Sequence, residues 1–352
     1  MHENNDILSL FRNKKCVNVC APMVRYSKLA FRSLVRKYEC DLCFTPMIIA
    51  ESFLASPKAR SSEFSTNKGD RPLVVQFAAN NADDFARAAE LVAPYCDGVD
   101  LNCGCPQRWA MKEGYGADLL ARPECIRDMV LAVRNRVPRP LSVSAKLRLL
   151  PDLRRTVELC RSLERAGVSF LTVHARTPDQ RHQPVDVAAL RQLRESVALP
   201  LVANGDVRSL QGASRLQEAT GCQGVMSARG LLANPALFSG QPRTPLDCVR
   251  RWVGLAARTG ASYQSLHHHL VFMLEKVLGR DQRLRFNALK RRDQVLDFLQ
   301  DELGVEVCGA PPEEAPEECS YSEGSYFAQA VCRARSPPPA EDYLDGACCL
   351  YA

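Results

Sequence analysis

Two cysteines flank a glycine in Asn102-Cys103-Gly104-Cys105-Pro106. A Cys-x-Cys pair resembles half of a metal site, but no second pair stands at zinc spacing. A buried turn cysteine would be inert. A free thiol, with a pKa near about 8.5, is mostly protonated at neutral pH and can donate, so Cys105 is a candidate general acid. Other polar residues break apolar runs further along: Pro22-Met23, Gln76, Lys146 and Arg148, His174 and Arg176, Asn204-Gly205-Asp206, and Arg229-Gly230. A buried amide, ammonium or imidazole is costly unless paired. One such residue reads as a satisfied core group. Seven positions together point to a site.

The loops ANGDVRS and SARGLLANP contain small residues that let backbone N–H groups approach a phosphate, and Arg229 can add a charge-assisted bond. A ligand with a terminal phosphate follows, flavin mononucleotide (FMN) being one. Gln76 is then an amide for the edge of the ring. Lys146 is an ammonium that favours the anionic reduced form. His267-His268-His269 point in different directions on a helix and carry no metal expectation. Cys40 and Cys43, three apart in a strand, are expected on opposite faces of the sheet, a poor metal or redox pair.

These residues need a frame. Eight apolar runs recur: 17–23, 42–48, 72–78, 98–104, 141–149, 170–176, 200–206 and 224–230. Runs without alternation suit parallel strands covered on both faces. Helical patterns with capping signals lie between most of them, at 27–38, 83–95, 123–137, 152–167, 186–196 and 209–221. Eight strand–helix units over about 225 residues predict a (β/α)8 TIM barrel of class α/β, with its site at the C-terminal strand ends. A doubly wound sheet is the alternative, but its opening glycine fingerprint is missing.

The expected organisation is an N-terminal extension over 1–15, a barrel over 16–242, a helical domain over 243–304 and a disordered acidic tail over 305–352. In the helical domain, stretches 245–260, 262–279 and 286–304 read as three helices. It carries eleven bases against seven acids. The tail has nine acids and two bases, leaving the first 304 residues at +13. A basic body of that size suits a polyanion such as nucleic acid. The polar first fifteen residues do not read as a secretory signal, and no run of about 18 apolar residues reads as a membrane span. A reducing compartment, the cytoplasm or also the nucleus, fits cysteines set in apolar runs.

The stretches APMVRYSKLAFR, VVQFAANN, DLNCGCPQRWAMKEGYGADLL, KLRL, TVHART, VANGDVRS and ARGLLANP, in this order, resemble the flavin-dependent tRNA-dihydrouridine synthases. RYSKLAFR, GCPQRWAM and RHQPV are most similar to the eukaryotic 4-like branch, associated with uridines 20a and 20b. The resemblance covers about residues 15–303. It implies FMN binding at Pro22, Met23, Val24, Gln76, Lys146, His174, Asn204, Gly205, Asp206, Ala228 and Arg229. It implies Cys105 as catalytic proton donor, with Arg148 a further basic candidate. It also implies NADPH or NADH as a transient reductant, tRNA as partner, and no metal. Ala175 and Ala228 stand where many members have glycine.

The residues suit that chemistry. Hydride from reduced flavin adds to uracil C6, charge develops at C5 and the carbonyl oxygen, and the Cys105 thiol protonates C5. The uracil must leave its stack to reach the barrel mouth. Two other readings remain open at this point. A small-molecule flavoenzyme would have a similar barrel but no use for a basic helical domain. A non-catalytic RNA-binding protein would take up no flavin.

Overall fold

The computed structural model describes residues 6–137 and 140–306. Its centre is a closed cylinder of eight parallel strands: β1 (Val17–Cys20), β2 (Leu42–Phe44), β3 (Leu73–Ala78), β4 (Gly98–Cys103), β5 (Ser142–Arg148), β6 (Phe170–His174), β7 (Leu201–Asn204) and β8 (Gly224–Ser227). Each pairs with the next, and β8 closes on β1. This is the expected TIM barrel. The second run is not continuous. Pro46 lacks an N–H, and Thr45–Met47 breaks the strand before Ile48–Ile49 rejoins β3.

Helices α1 (Leu29–Arg36), α2 (Ala82–Val92), α3 (Pro123–Arg136), α4 (Leu153–Arg165), α5 (Val187–Ser196), α6 (Leu210–Thr220) and α7 (Arg229–Ala233) cover the wall. The side chains of Asn81, Asp152, Asp186 and Ser209 each accept a backbone N–H of the first turn of α2, α4, α5 and α6. The β2–β3 connection holds two short helices, Ala50–Ala55 and Pro57–Glu63.

The N-terminal segment is more than an extension. Helix Ile7–Asn13 is capped by Asp6, which accepts the Leu8 N–H at 3.0 Å. Ile7 and Phe11, four residues apart, share one face and are buried. Two strand-starting glycines make room for them: a Cβ on Gly98 would lie 3.1 Å from Ile7, and one on Gly224 3.3 Å from Phe11. The Phe11 ring stands 5.4 Å from Phe170, itself 6.5 Å from Phe44. These rings form an apolar floor.

Between α1 and the wall lies a buried charged knot. Arg32 donates to Asp70 at 2.6 and 2.9 Å, to the Ser27 carbonyl at 2.7 Å and to the Ser65 carbonyl at 2.7 Å. Cys40 precedes β2 rather than lying within it, so the strand argument fails there. Its sulfur is 3.9 Å from that of Cys43. The expectation that the two face apart is therefore corrected.

Four helices follow the barrel: α8 (Leu246–Arg258), α9 (Tyr263–Leu274), α10 (Arg280–Asn287) and α11 (Arg292–Leu303). The expected single helix over 286–304 is two. The chain extends at Arg291, where Gln294 Oε1 accepts the Lys290 and Arg291 N–H groups. Trp252 of α8 and His269 of α9 dock against Phe31 of α1, His269 stacking on that ring at 4.8 Å. Burial pushes His269 down to about 3, so it packs as a neutral ring. His267 stacks between Tyr263 and Phe286, while His268 is exposed. The three histidines thus diverge. The acidic tail lies outside the described residues from 307 onward. No described helix is long and apolar enough to cross a membrane.

Candidate active site

Strand register assembles the site. Gln76 lies beside Asp100, Asn102 beside Lys146, Arg148 beside His174, and His174 beside Asn204. Alternation puts these residues on the face shared by Phe44 and Phe170, the barrel interior. The interior therefore runs from an apolar floor to a polar mouth at the C-terminal strand ends.

A directional hydrogen-bond chain reaches Cys105. Asp100 accepts from Ser144 Oγ (2.6 Å) and from Gln76 Nε2 (2.8 Å). Gln76 Oε1 accepts from Asn102 Nδ2 (2.9 Å). Asn102 Oδ1 accepts the backbone N–H of Gly104 (3.2 Å) and of Cys105 (2.9 Å). A carboxylate only accepts, so Asp100 fixes the orientation of both amides and through them the cysteine turn. The same turn rests on the GYGA motif. The Cys105 carbonyl accepts the Ala117 N–H at 2.9 Å. A Cβ on Gly116 would lie 2.5 Å from that carbonyl oxygen, and its φ of +64° also demands glycine.

The electrostatics favour a protonated thiol among cations. Burial pushes Cys105 above the usual thiol range, against a smaller downward pull from Lys146 and Arg148. Burial and the neighbouring Arg148 bring Lys146 down to about 8, and Asp100 pulls it back up. Asp100 is raised to about 6 by burial. His174 is pushed down to about 2 by burial and by the cations around it, Arg229 among them, so it is neutral. Its Nε2 faces Arg176 Nη1 at 3.2 Å. A guanidinium only donates, so Nε2 accepts and the proton sits on Nδ1. Asp206 holds Arg176 from the other side at 2.6 Å. Gly205 allows this approach: its φ is +131°, and a Cβ there would lie 2.4 Å from Val185.

Among the described residues, four buried side-chain polar atoms lack a hydrogen-bond partner, and three are Arg148 Nη2, Thr172 Oγ1 and His174 Nδ1 on β5 and β6. Orphaned buried donors are costly, so their clustering beside Lys146 marks a place for an acceptor-rich anion. A phosphorylated flavin fits that donor set. No described group of three or more His, Cys, Asp or Glu residues could hold a metal ion.

The remaining expected residues sit on adjoining loops. Ala21 N–H donates to the Ser227 carbonyl at 3.0 Å, which sets Pro22, Met23 and Val24 beside Ala228 and Arg229. Ser27 Oγ accepts the Met23 N–H at 2.9 Å, and Arg32 holds the Ser27 carbonyl. Ala228 has a negative φ of −113°, so the position does not call for glycine's left-handed freedom. Pro22, Val24 and Ala228 belong to this pair of loops, while the chain of hydrogen bonds to Cys105 runs through Asp100, Gln76 and Asn102. Asp100, Ser144 and the supporting part of Asn102 were not singled out from the sequence. Their signal was an aspartate inside an otherwise apolar strand run, which requires a partner.

The family model described as dihydrouridine synthase matches residues 19–296. A Mus musculus protein named tRNA-dihydrouridine(20a/20b) synthase (NAD(P)+)-like is 55% identical over 86% of this chain and 93% of its own length. A Homo sapiens protein of the same name is 54% identical over 85% and 95%. The tRNA-dihydrouridine(20a/20b) synthase of Schizosaccharomyces pombe is 42% identical over 79% and 85%. With a closed barrel, a polar mouth and similarity that spans most of both sequences, this chain belongs to the dihydrouridine synthase family.

Proposed function

We propose that this chain is a tRNA-dihydrouridine synthase that reduces the C5–C6 bond of uridines 20a and 20b, with FMN at the barrel mouth and NADPH or NADH as transient reductant. The observation that carries the reading is the half-buried, protonated Cys105 thiol held beside Lys146 and the partnerless donors of Arg148 and His174. The 20a/20b assignment comes from the names of the relatives.

Bound there, the reduced flavin supplies the hydride that uracil C6 accepts. Lys146 and His174 Nδ1–H hold its acceptor edge. Gln76, with one Nε2 hydrogen bonded to Asp100, has its other hydrogen for the ring. Backbone N–H groups at Asn204, Gly205, Asp206 and Ala228, with the Arg229 guanidinium, would receive the phosphate end, and Pro22, Met23 and Val24 would border the ring. The Cys105 Sγ–H delivers the proton to C5. The positive field of the mouth favours the negative charge that develops on the carbonyl oxygen. The boundaries proposed are a barrel over 16–242 and a helical domain over 243–304, whose eleven bases hold the RNA backbone largely without reading sequence. All eleven described cysteines are free, which fits a reducing compartment such as the cytoplasm.

The test is purified, flavin-loaded protein with an unmodified tRNA transcript and NADPH, followed by mass spectrometry of the nuclease digest. Nucleosides heavier by two hydrogens at 20a and 20b are expected. Yellow protein that leaves the transcript unchanged contradicts the reading.

A further inference from the structure

The chain has two tryptophans, and the fold treats them oppositely. Trp252 is 1% exposed, packed on Phe31 and His269. Trp109 is 45% exposed. It lies in the short helix Arg108–Lys112, four residues after Cys105 on the same rim. The inner face of that helix is one alanine: Ala110 is fully buried against Ala78 and Tyr115, with Cys105 packed on the same cluster. Trp109 and Met111, which is 36% exposed, stand on opposite flanks of Ala110, while Arg108 and Lys112, four apart, share the outward face. Arg108 and Lys112 bracket them. Both are exposed, and neither takes part in an ion pair among the described residues. Glu113 is the nearest acid in sequence.

An indole left half in water on the rim that carries the Cys105 thiol forgoes a large burial. Flanking cations argue against an apolar protein partner and for a polyanion with aromatic faces. A uridine extruded toward Cys105 also leaves its neighbours without a stacking partner. We infer that Trp109 is a stacking platform for an unpaired nucleobase adjacent to the extruded uridine, with Arg108 and Lys112 gripping the flanking phosphates. The inference rests on the proposed activity and adds a surface that selects a single-stranded loop over a duplex. Stacking tolerates any base, so the platform reads openness of the strand rather than sequence.

Trp109 is its own reporter, since Trp252 is sealed in the core. The experiment titrates flavin-loaded full chain with an unmodified tRNA transcript, with a duplex RNA of equal length, and with NADPH, following the red-shifted tryptophan emission. It then measures tRNA affinity for Trp109→Phe and Trp109→Ala. Quenching by the tRNA and not by the duplex is expected. Trp109→Ala should bind tRNA about 5- to 150-fold more weakly, the range for loss of one base–aromatic stack. Trp109→Phe should recover most of that loss, and both variants should melt with the wild type. Equal quenching by the duplex, quenching by NADPH, quenching on raising protein concentration alone, or Trp109→Ala affinity within twofold of wild type would each overturn the platform. Wild-type protein that forms no dihydrouridine would instead overturn the proposed function. Wild-type activity matched by Trp109→Ala would sink the platform alone.

Discussion

The two ends of the barrel are built from the same strands and alternate in the same way, yet one end is closed with hydrocarbon and the other is left polar. At the floor, Gly98 and Gly224 omit side chains so that Ile7 and Phe11 can enter, and Phe170 and Phe44 complete the plug. At the mouth, the same β4 that starts with Gly98 carries Asp100 and Asn102, and the same β6 that starts with Phe170 carries Thr172 and His174. The floor leaves little for a ligand to contact. The mouth holds donors that the protein alone does not satisfy. The difference teaches that the floor carries stability and the mouth carries binding, and substitutions at each end should separate the two.

The largest effect is expected at the floor. Phe11→Ala should destabilise the protein by about 3–5 kcal/mol, by lost burial and a residual cavity. Flavin affinity of the molecules that remain folded should stay unchanged. Chemical unfolding and flavin titration check this, and a parallel loss of affinity would blur the comparison.

At the mouth, Asp100→Asn sharpens it. The fixed acceptor becomes an amide that can face Gln76 with either end, and where its Nδ2 faces Gln76 that side chain turns over and Asn102 with it. The Cys105 turn then loses its acceptor. Turnover should fall up to ~100-fold, the effect of misplacing a reacting group, while the melting temperature and tRNA affinity move little. An unchanged turnover number would remove Asp100 from the positioning chain.

A smaller effect comes from Lys146, whose ammonium is brought down to about 8. An anionic ligand binds the protonated form better. Flavin affinity should hold below pH 8 and weaken above it, by roughly tenfold per pH unit at most. Equilibrium dialysis at several pH values measures it, and Lys146→Met should flatten the profile.

The floor and the mouth were not equally legible in the sequence. Strands declared themselves because parallel strands covered on both faces are continuous apolar runs. The mouth declared itself because Gln76, Lys146, His174 and Asn204 interrupt those runs at their ends. Helix Ile7–Asn13 did not, since its apolar residues Ile7, Leu8, Leu10 and Phe11 fill only two turns, too short a stretch for a helical period to stand out. The break between α10 and α11 was hidden as well: Ala288–Arg291 holds neither proline nor glycine. Long-range register, which no single-chain pattern encodes, decides that Asp100 meets both Ser144 and Gln76. The approach of Cys40 to Cys43 escaped because the strand begins only at Leu42.

The central claim is that the mouth separates two jobs, with cations and orphaned donors holding the flavin and Cys105 supplying the proton. Cys105→Ala tests it most directly when both half-reactions are followed in one sample. NADPH should bleach the flavin of the variant at the wild-type rate, while dihydrouridine in the tRNA falls about 100- to 10,000-fold, the range for a lost general acid. Dihydrouridine formed at the wild-type rate, or flavin that the variant fails to retain, would contradict the account.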